Sequence, residues 1–522
     1  MFTRRQIYTL LIVISAGLML GRIIAVNRTD TILIQKYRTD QIPNQLKEKE
    51  QRLRAAENPL SEENLQAELE KTKEKLLNDA QFELPVFSAN DRSRWDTIRV
   101  LVEPDMRVQR TVTLSDGSER KETVWYAIDK AQTIKGWDTI DMVKHDLPDQ
   151  PGEGPQPGGG YLYSSKPPLL PTLMAIPYAV MYWASNGKLS LESEPFVVVR
   201  VTLIVCNLLP LVLGWFLLSR LIERFGTTDW GRVFSVAFIC FGTFISTFAV
   251  TLNNHLPGVV CVAIAFYCVV RIVYDQETRW RYYAAAGFFS AFAAVCDLPA
   301  LLLCVLFGFW LLCHRFRQTL FLFAPAALVV AAAFFATNYI AHKTFTPAYA
   351  KKYVENSWYL YDYERGGRIL KSYWHHPAGI DQGEENLGTY IFHSTIGHHG
   401  LFSLTPVWAL SLLGLVFWLF DRRYWCLSTI ILLTSIVVFT FYMQQPLNER
   451  NYGGMTSALR WLFWLAPLWS VALVAAADWF SRNGFLRAIA LMCLVVSVMS
   501  AAYPVWNPWT MPWTYNLLEY FK

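Results

Sequence analysis

Long apolar runs are the feature that most constrains how this chain folds. A run of about twenty predominantly apolar residues crosses the hydrocarbon core of a bilayer as one helix. The first run, IYTLLIVISAGLMLGRIIAV, follows a basic start and has no small-residue cleavage site, so we interpret it as a retained anchor and not as a signal peptide. Further runs lie at 196–219, 231–251, 256–274, 282–296, 298–313, 319–341, 402–420, 424–443, 460–480 and 486–503. The predicted fold class is an α-helical polytopic membrane protein.

Basic clusters decide the predicted orientation. They lie at 1–5 (MFTRR), 219–226, 271–281, 314–318, 421–423 and 481–487. All of them fall on one side only if the proline-containing run at 167–184 does not cross the membrane, so we interpret that run as a re-entrant or interfacial helix. The positive-inside rule then predicts about eleven transmembrane helices in the cytoplasmic (inner) membrane, with the N-terminus in the cytoplasm and the C-terminus outside.

Four regions follow from this topology. They are an N-terminal transmembrane anchor (1–26), a large mixed first outer loop (27–165), a polytopic membrane domain (166–503) and an outer C-terminal tail (504–522). Within the outer loop, residues 43–80 are highly charged, and Pro59 interrupts their heptad spacing. This favours two short surface helices over a sustained coiled coil, and the segment is a candidate arm for a protein partner. RVQRTVTL and ETVWYAI around SDGS predict a β-hairpin, and 148–160 (PDQPGEGPQPGGG) predicts a flexible connection.

Two classes of site are disfavoured by composition. The nine cysteines lie in or beside apolar runs without a CxxC pair, which gives no sign of a disulfide framework or a zinc site. A net charge of +5 over 522 residues does not indicate nucleic-acid binding.

The predicted outer loops contain nearly all the unusual polar residues. SANDRSRWDTIRVLVE carries Asp91 and Asp96 as candidate general bases, with Arg94 able to bind a phosphate. The alternative for Asp91 is a helix N-cap, with Trp95 and later apolar residues at the membrane interface. In a second segment, GWDTIDMVKHD, Trp137 and Asp138 either line a substrate pocket or anchor the loop to the membrane, and Asp141 and His145 follow them.

Other candidate binding residues stand at the predicted helix ends. In TLNNHLPG, Asn254 and His255 exceed what a turn requires. Asp297 in CDLPA is either a site residue or an N-cap. His393 begins a histidine group, FHSTIGHHG, whose spacing matches no specific metal-ligand pattern. Lys166 in YSSKPPLLPT stands with two prolines just before an apolar run, and it is either a site residue or a snorkelling lysine in a helix-entry turn.

These motifs together resemble the membrane-embedded glycosyltransferases of the C superfamily (GT-C fold). The closest likeness is to the branch of the lipid A aminoarabinose transferases and the protein O-mannosyltransferases, which carry an early acidic residue in the first outer loop and K-P-P-L before the next helix. Here these are Asp91 and Lys166-Pro167-Pro168-Leu169, and ALRWLFWLAPLW is similar to the late arginine-aromatic segment, with Arg460 in the matching place. Asp91 is followed by arginine where the family often has a second acidic residue, so either Asp91 or Asp96 is the base.

The resemblance implies inverting transfer of a sugar from a polyprenyl-phosphate donor to an acceptor hydroxyl of a lipid, glycan or protein, at the outer face of the membrane. Lys166 would neutralise the departing lipid phosphate. A divalent metal cofactor stays open, because no metal-binding motif requires one. The alternatives are a transporter or flippase of lipid-linked saccharides, for which a repeat and polar residues near the midplane would be expected, and a non-catalytic envelope scaffold acting through residues 43–80.

Overall fold

Most of the chain is described by the computed structural model, which covers residues 3–29, 39, 41–55, 60–79, 83–113, 116–134, 136–147, 159–365 and 368–521. The predicted flexible connection lies outside the described residues except for its last two positions, as do Pro59 and Ser115. The chain divides into two compact units, one of residues 26–87 and one of residues 1–25 with 88–522.

The smaller unit is a helical hairpin that begins and ends on a short pair of strands. Strands β1 (Arg28–Thr29) and β2 (Glu83–Leu84) are antiparallel, and helices α2 (Ile42–Arg54) and α3 (Glu62–Asp79) lie between them. The ammonium of Lys49 lies 2.7 Å from Glu68 and 2.6 Å from the hydroxyl of Thr72, which joins the two helices. The two predicted short helices are therefore present.

The larger unit begins with α1 (Arg4–Ile24) and resumes with α4 (Ala89–Val102), two hairpins and α5 (Leu169–Ala184). The hairpins are β3 (Val108–Thr113) with β4 (Glu119–Val124), as predicted from the sequence, and β5 (Met142–His145) with β6 (Tyr161–Ser164). Apolar helices follow: α6 (Pro195–Phe225), α7 (Asp229–Val250), α8 (His255–Tyr274), α9 (Trp280–Cys296), α10 (Leu298–His314) and α11 (Phe316–His342).

After α11 comes the second long loop and then the last helices. The loop contains β7 (Asp362–Arg365), β8 (Arg368–Lys371) and α12 (Leu387–Thr395). The remaining helices are α13 (Val407–Phe420), α14 (Trp425–Met443), α15 (Arg460–Phe480), α16 (Gly484–Ala502) and α17 (Trp513–Tyr520). Single helical turns lie at Pro104–Met106, Asp129–Gln132, Ala348–Lys351, Tyr373–His375, Gly379–Gln382, Leu401–Leu404 and Leu447–Glu449.

Helices occupy all eleven predicted spans, and the protein is a polytopic membrane protein. Among the described residues, eight helices are long and apolar enough to cross a bilayer by length and composition, namely α1, α6, α7, α8, α11, α14, α15 and α16. Helices α5, α10 and α13 are shorter apolar helices. Eleven crossings therefore remain a prediction.

The predicted cytoplasmic clusters gather at one end of the larger unit. Arg4 pairs with Glu223 at 2.8 Å, so the N-terminus lies beside the end of α6. Arg224 pairs with Asp275 at 2.8 Å, and Arg315 donates to Gln276 at 3.3 Å. The same end holds the Phe225–Tyr424 ring contact and the bonds from Thr227 and Thr228 to Asp478. Because Arg4 contacts residues beyond α5, this arrangement favours an α5 that does not cross.

Another part of the larger unit is built from residues 88–165 and from the long loop between α11 and α13, which the sequence predicts to lie on the outer side. An apolar core joins β4, β5 and β6 to the second loop and includes Val124, Val143, Tyr163, Trp358 and Tyr359. The amide of Lys144 donates to the carbonyl of Trp358 at 2.9 Å. This packing holds β5 and β6 rigidly, and both strands border the residues described next.

Candidate functional site

Helix α4 presents two different faces. Ser88 is its N-cap, since the Ser88 hydroxyl accepts the Asp91 N–H at 3.2 Å, so Asp91 stands in the first turn and is not the cap. Residues three apart lie on one helix face, which puts Asp91 beside Arg94. Asp96 lies two residues beyond Arg94, a rotation of about 200° at 3.6 residues per turn, and therefore points the other way.

The Asp91 face fastens α4 to the turn between α7 and α8. The Asp91 carboxylate accepts the Leu252 N–H at 2.9 Å, and it is only 1% exposed. The Arg94 guanidinium is also buried and donates to the side-chain oxygen of Asn254 at 2.6 Å. This turn, with its unusual run of polar residues, is thus bound by side chains of α4, a helix that is distant in the sequence.

Asp297 faces the same turn. The Asn254 amide donates to Asp297 Oδ1 at 2.9 Å and to the Cys296 carbonyl at 2.8 Å, and His255 Nδ1 lies 3.3 Å from Asp297 Oδ2. The Asp297 side chain makes no cap bond to the helical turn that follows it. Asp297 thus occupies the N-cap position of that turn, but its carboxylate binds Asn254 and His255 and does not cap the helix.

Arg460 completes the chain of contacts at the start of α15. Its Nη1 lies 3.0 Å from His255 Nε2, and its Nε and Nη2 donate to the Gly453 carbonyl at 3.1 and 2.8 Å. Since arginine only donates, His255 Nε2 accepts, and Nδ1 carries the proton that is donated to Asp297. His255 is thereby assigned as a neutral imidazole that links a cation to a carboxylate.

Asp141 and Lys166 form an ion pair beside this network, with Nζ and Oδ2 3.2 Å apart. The β5–β6 register, in which Met142 pairs with Ser164, brings these two residues together. The Asp141 carbonyl accepts from the Ser93 hydroxyl at 2.7 Å and from the Ser165 N–H at 3.0 Å, which ties the pair to α4. The side chains of Lys166 and Asp141 are 20% and 14% exposed.

Three cations act on one another in this site. Burial is the main cause that lowers the pKa of Arg94, to about 10, and the charge of Arg460 adds to it. Burial likewise lowers the pKa of Lys166, and Arg94 and Arg460 add to the effect while Asp141 opposes it. Burial alone would raise the pKa of Asp141, but Lys166, Arg460 and Arg94 outweigh it and hold that pKa below its ordinary value.

The site therefore has a buried layer and an accessible layer. Asp91, Arg94, His255 and Asp297 are buried, whereas Asp141, Lys166, Asn254 and Arg460 are partly exposed. Two cations and one carboxylate face the accessible side, held by the buried groups behind them. This combination can bind an anionic group through the cations and receive a proton at the carboxylate.

Two predicted site residues lie apart from this cluster. Asp96 accepts from the Gln132 amide at 2.6 Å, and burial raises the pKa of its carboxyl well above the ordinary value. Trp95 is buried inside the protein too and does not face a membrane surface. His393 stacks on His398 at 3.8 Å between ring centroids, within an aromatic group that includes Tyr452 and His399.

Two carboxylates of this region were not among the predicted site residues. Asp141 was noted in GWDTIDMVKHD, but only strand pairing reveals its position beside Lys166. Asp381 accepts from Asn451 at 2.9 Å and from the Tyr373 hydroxyl at 3.0 Å, and burial raises the pKa of its carboxyl. Its charge acts on both Asp141 and Arg460. No local pattern in the sequence marks it.

A metal site does not emerge from the described residues: no group of three or more His, Cys, Asp or Glu side chains among them converges in a way that could hold a metal ion.

No family model matches this chain, and no curated protein matches it. Two solved structures are similar to it. One is the Archaeoglobus fulgidus oligosaccharyltransferase in the apo form, with a TM-score of 0.39 and 11% identity over 81% of this chain and 53% of that chain. The other is the archaeal oligosaccharyltransferase AglB from the same organism, in complex with an inhibitory peptide and a dolichol-phosphate, with a TM-score of 0.37 and 12% identity over 68% of this chain and 49% of that chain. This chain thus spans about half the length of each structure.

Proposed function

We propose that this protein is a glycosyltransferase that moves a sugar from a polyprenyl-phosphate donor to an acceptor hydroxyl at the outer face of the membrane, with inversion at the anomeric carbon. The observation that carries the proposal is the accessible layer of the site. Lys166 and Arg460 present two partly exposed cations beside Asp141, in a protein built mainly of apolar helices. A lipid-linked phosphate places its anionic group at this depth while its chain stays in the bilayer.

Each accessible group has a chemical task. The acceptor oxygen attacks the anomeric carbon from the face opposite the phosphate, and the bond from that carbon to the phosphate oxygen breaks. Lys166 and Arg460 neutralise the charge that develops on the departing polyprenyl phosphate. The acceptor proton passes to Asp141, because a general base must lie within hydrogen-bond reach of its substrate and Asp141 is more exposed than Asp91.

Donor binding also prepares the base. Lys166 is paired with Asp141 in the structure. When Lys166 turns to the donor phosphate, Asp141 loses part of the positive charge that lowers its pKa, so its affinity for a proton rises. Asp91 then acts from the buried layer, where its bond to the Leu252 N–H holds the turn carrying Asn254 and His255.

The proposal is tested by mass spectrometry of envelope lipids, glycans and glycoproteins from cells that carry or lack this chain. We expect one sugar modification to disappear with the chain and to return with the wild-type protein but not with Asp141→Asn. Asp91→Asn distinguishes the two carboxylates: with Asp141 as the base, this variant retains more transfer than Asp141→Asn.

Lys188→Ala is the matched control, because Lys188 is an exposed lysine on the loop after α5. A glycan and lipid profile that does not change when the chain is deleted would refute the glycosyltransferase. Normal transfer by Asp141→Asn, together with loss of transfer in Asp91→Asn, would assign the base to Asp91.

A further inference from the structure

The segment after α16 returns to the candidate site. The Ser457 N–H donates to the Pro508 carbonyl at 3.1 Å, and Ser457 lies three residues before Arg460. Trp509 is 5% exposed, and its indole N–H lies 3.3 Å from the Thr251 hydroxyl. Thr251 directly precedes Leu252, whose N–H is bound by Asp91. The segment that the sequence suggests is an outer tail therefore contacts both ends of the site's polar network.

Trp509 also covers one face of the Arg460 guanidinium. The guanidinium carbon lies 4.9 Å from the centre of the Trp509 ring, within the distance at which an aromatic face attracts a cation. Gly453 and His255 bind the edge of the same guanidinium through its N–H groups. One face and part of the edge are thus occupied by protein groups, which restricts the directions in which Arg460 can meet an anion.

Helix α17 holds this segment in place. The Trp513 indole donates to the Ser500 hydroxyl at 2.9 Å, and the Thr514 hydroxyl donates to the His398 carbonyl at 2.6 Å. The Tyr515 ring meets the edge of His398 at 5.3 Å. Trp509 is thereby fixed between the end of α16 and two anchoring contacts, and Phe248 packs against it at 5.4 Å between ring centroids.

We propose that Trp509 is a positioning residue that holds the Arg460 guanidinium for anion binding, so that the segment after α16 contributes to the site through this one side chain. The identity of the anion as a lipid-linked phosphate rests on the proposed function. The positioning itself rests on the contacts among Trp509, Arg460 and Thr251.

Binding of a polyprenyl monophosphate to the full chain in lipid nanodiscs tests this inference. We expect Trp509→Leu, which keeps apolar volume but has no π face, to weaken binding by about tenfold. Trp509→Phe restores part of the lost affinity because it returns an aromatic face. Trp506→Ala is the matched control, since Trp506 is in the same segment but 76% exposed, and it should bind like wild type.

A double-mutant cycle separates positioning from general loss of packing. When Arg460→Ala is already present, adding Trp509→Leu should cost no further affinity, because the group that Trp509 positions is gone. Additive losses, or equal affinities for Trp509→Leu and Trp506→Ala, would overturn the inference. If Trp509→Leu does not insert, the partial loss expected for Trp509→Phe decides, and wild-type affinity in that variant overturns the inference.

The coupling of Trp509 and Arg460 can also be measured without ligand, by thermal unfolding of the same four proteins. If the stabilities show coupling between Trp509 and Arg460 but wild type does not bind the lipid phosphate, the proposed function is refuted and the positioning is supported. Lipid-phosphate binding without coupling between the two residues would refute the positioning and support the proposed function.

Discussion

The pairing of Lys166 with Asp141 is the residue-scale feature on which the proposed chemistry depends. Each charge of the pair lowers the free-energy cost of burying the other. Each side chain is also exposed enough to bind a different partner. An ion pair with only a structural role would not be expected to bind a second anion. Two further cations, Arg94 and Arg460, lie close enough to lower the pKa of Lys166, so an anion that binds between these cations would relieve their mutual repulsion.

Removing the Lys166 charge tests this directly. We expect Lys166→Ala to weaken polyprenyl monophosphate binding by about ten- to a hundredfold, since a hydrogen bond to a charged group contributes about 1.5–3 kcal/mol. The measurement is equilibrium binding in nanodiscs, with Lys188→Ala as the control. An equal loss in both variants would show that Lys166 has no special role.

His145 gives the outer loops a dependence on pH. The pKa of His145 falls from 6.5 to about 4, mainly because burial disfavours the imidazolium. Its Nε2 lies 3.0 Å from His342 Nδ1, and its ring stacks on Tyr163 at 4.4 Å. The unfolded state therefore binds more protons between pH 6.5 and pH 4, so this histidine makes stability fall as the pH drops through that window.

We expect this effect to reach about 3 kcal/mol by pH 4, at about 1.4 kcal/mol per pKa unit. His145→Phe keeps the stacking and removes the titration, so its stability should depend less on pH than that of wild type. The measurement is thermal unfolding from pH 7.5 to pH 4, with His376→Phe as a control at an exposed histidine. Identical pH profiles for wild type and His145→Phe would contradict the assignment.

At the scale of elements, α4 shows what helix periodicity resolves and what it does not. The run SANDRSRWDTIRVLVE indicates a capped helix with candidate carboxylates, and the helix begins at Ala89. Rotation along that helix separates Asp96 from Arg94, so periodicity alone favours Asp91 for the site. Helix periodicity does not reveal that Asp141 contacts Lys166. That contact depends on the pairing of β5 with β6, two strands that are separated in the sequence.

The two faces of α4 predict different responses to the loss of a carboxylate. Burial raises the pKa of Asp96 well above its ordinary value, which favours the neutral acid bonded to Gln132. Asp96→Asn keeps the shape of a neutral acid and should leave transfer within about twofold of wild type, since it removes no group of the site. The check is the rate of sugar transfer beside that of Asp141→Asn. A loss in Asp96→Asn as large as in Asp141→Asn would return Asp96 to the candidate bases.

In the turn between α7 and α8, one asparagine stabilises the turn and the next one contacts the residues of the candidate site. Asn253 binds locally, since its side-chain oxygen accepts the Leu256 N–H at 2.9 Å and its amide donates to the Phe248 and Thr251 carbonyls. Asn254 instead bridges Arg94 and Asp297. The polar run indicated a site, but only tertiary contacts separate the asparagine that shapes the turn from the one that serves the site.

At the scale of the whole molecule, apolar runs and basic clusters were the strongest signals in the sequence. Both arise from the bilayer, which acts on each segment locally, so the positions of the helices could be predicted without tertiary information. The gathering of Arg94, Lys166, Asn254, His255, Asp297 and Arg460 follows from that topology, because all of them precede or follow spans at the same end. His393 shares the predicted side but joins a different aromatic group, since sidedness alone does not specify which neighbours a residue contacts.

Sidedness is also the property that the membrane itself can test. The bonds that link Lys166, Arg94, Asn254 and Arg460 require these residues to lie on one side, and the Arg4–Glu223 pair requires the N-terminus to lie with the end of α6. Cysteine labelling with a membrane-impermeant maleimide, in a Cys313→Ser background because Cys313 is exposed, reports the side of any introduced thiol. We expect Lys188→Cys and Gln382→Cys to react in intact cells, and Arg423→Cys to react only after permeabilisation. Reaction of Lys188→Cys and Gln382→Cys from opposite sides would mean that an odd number of the helices α6–α11 cross the membrane. With an α5 that does not cross, the two long loops could not then build one site.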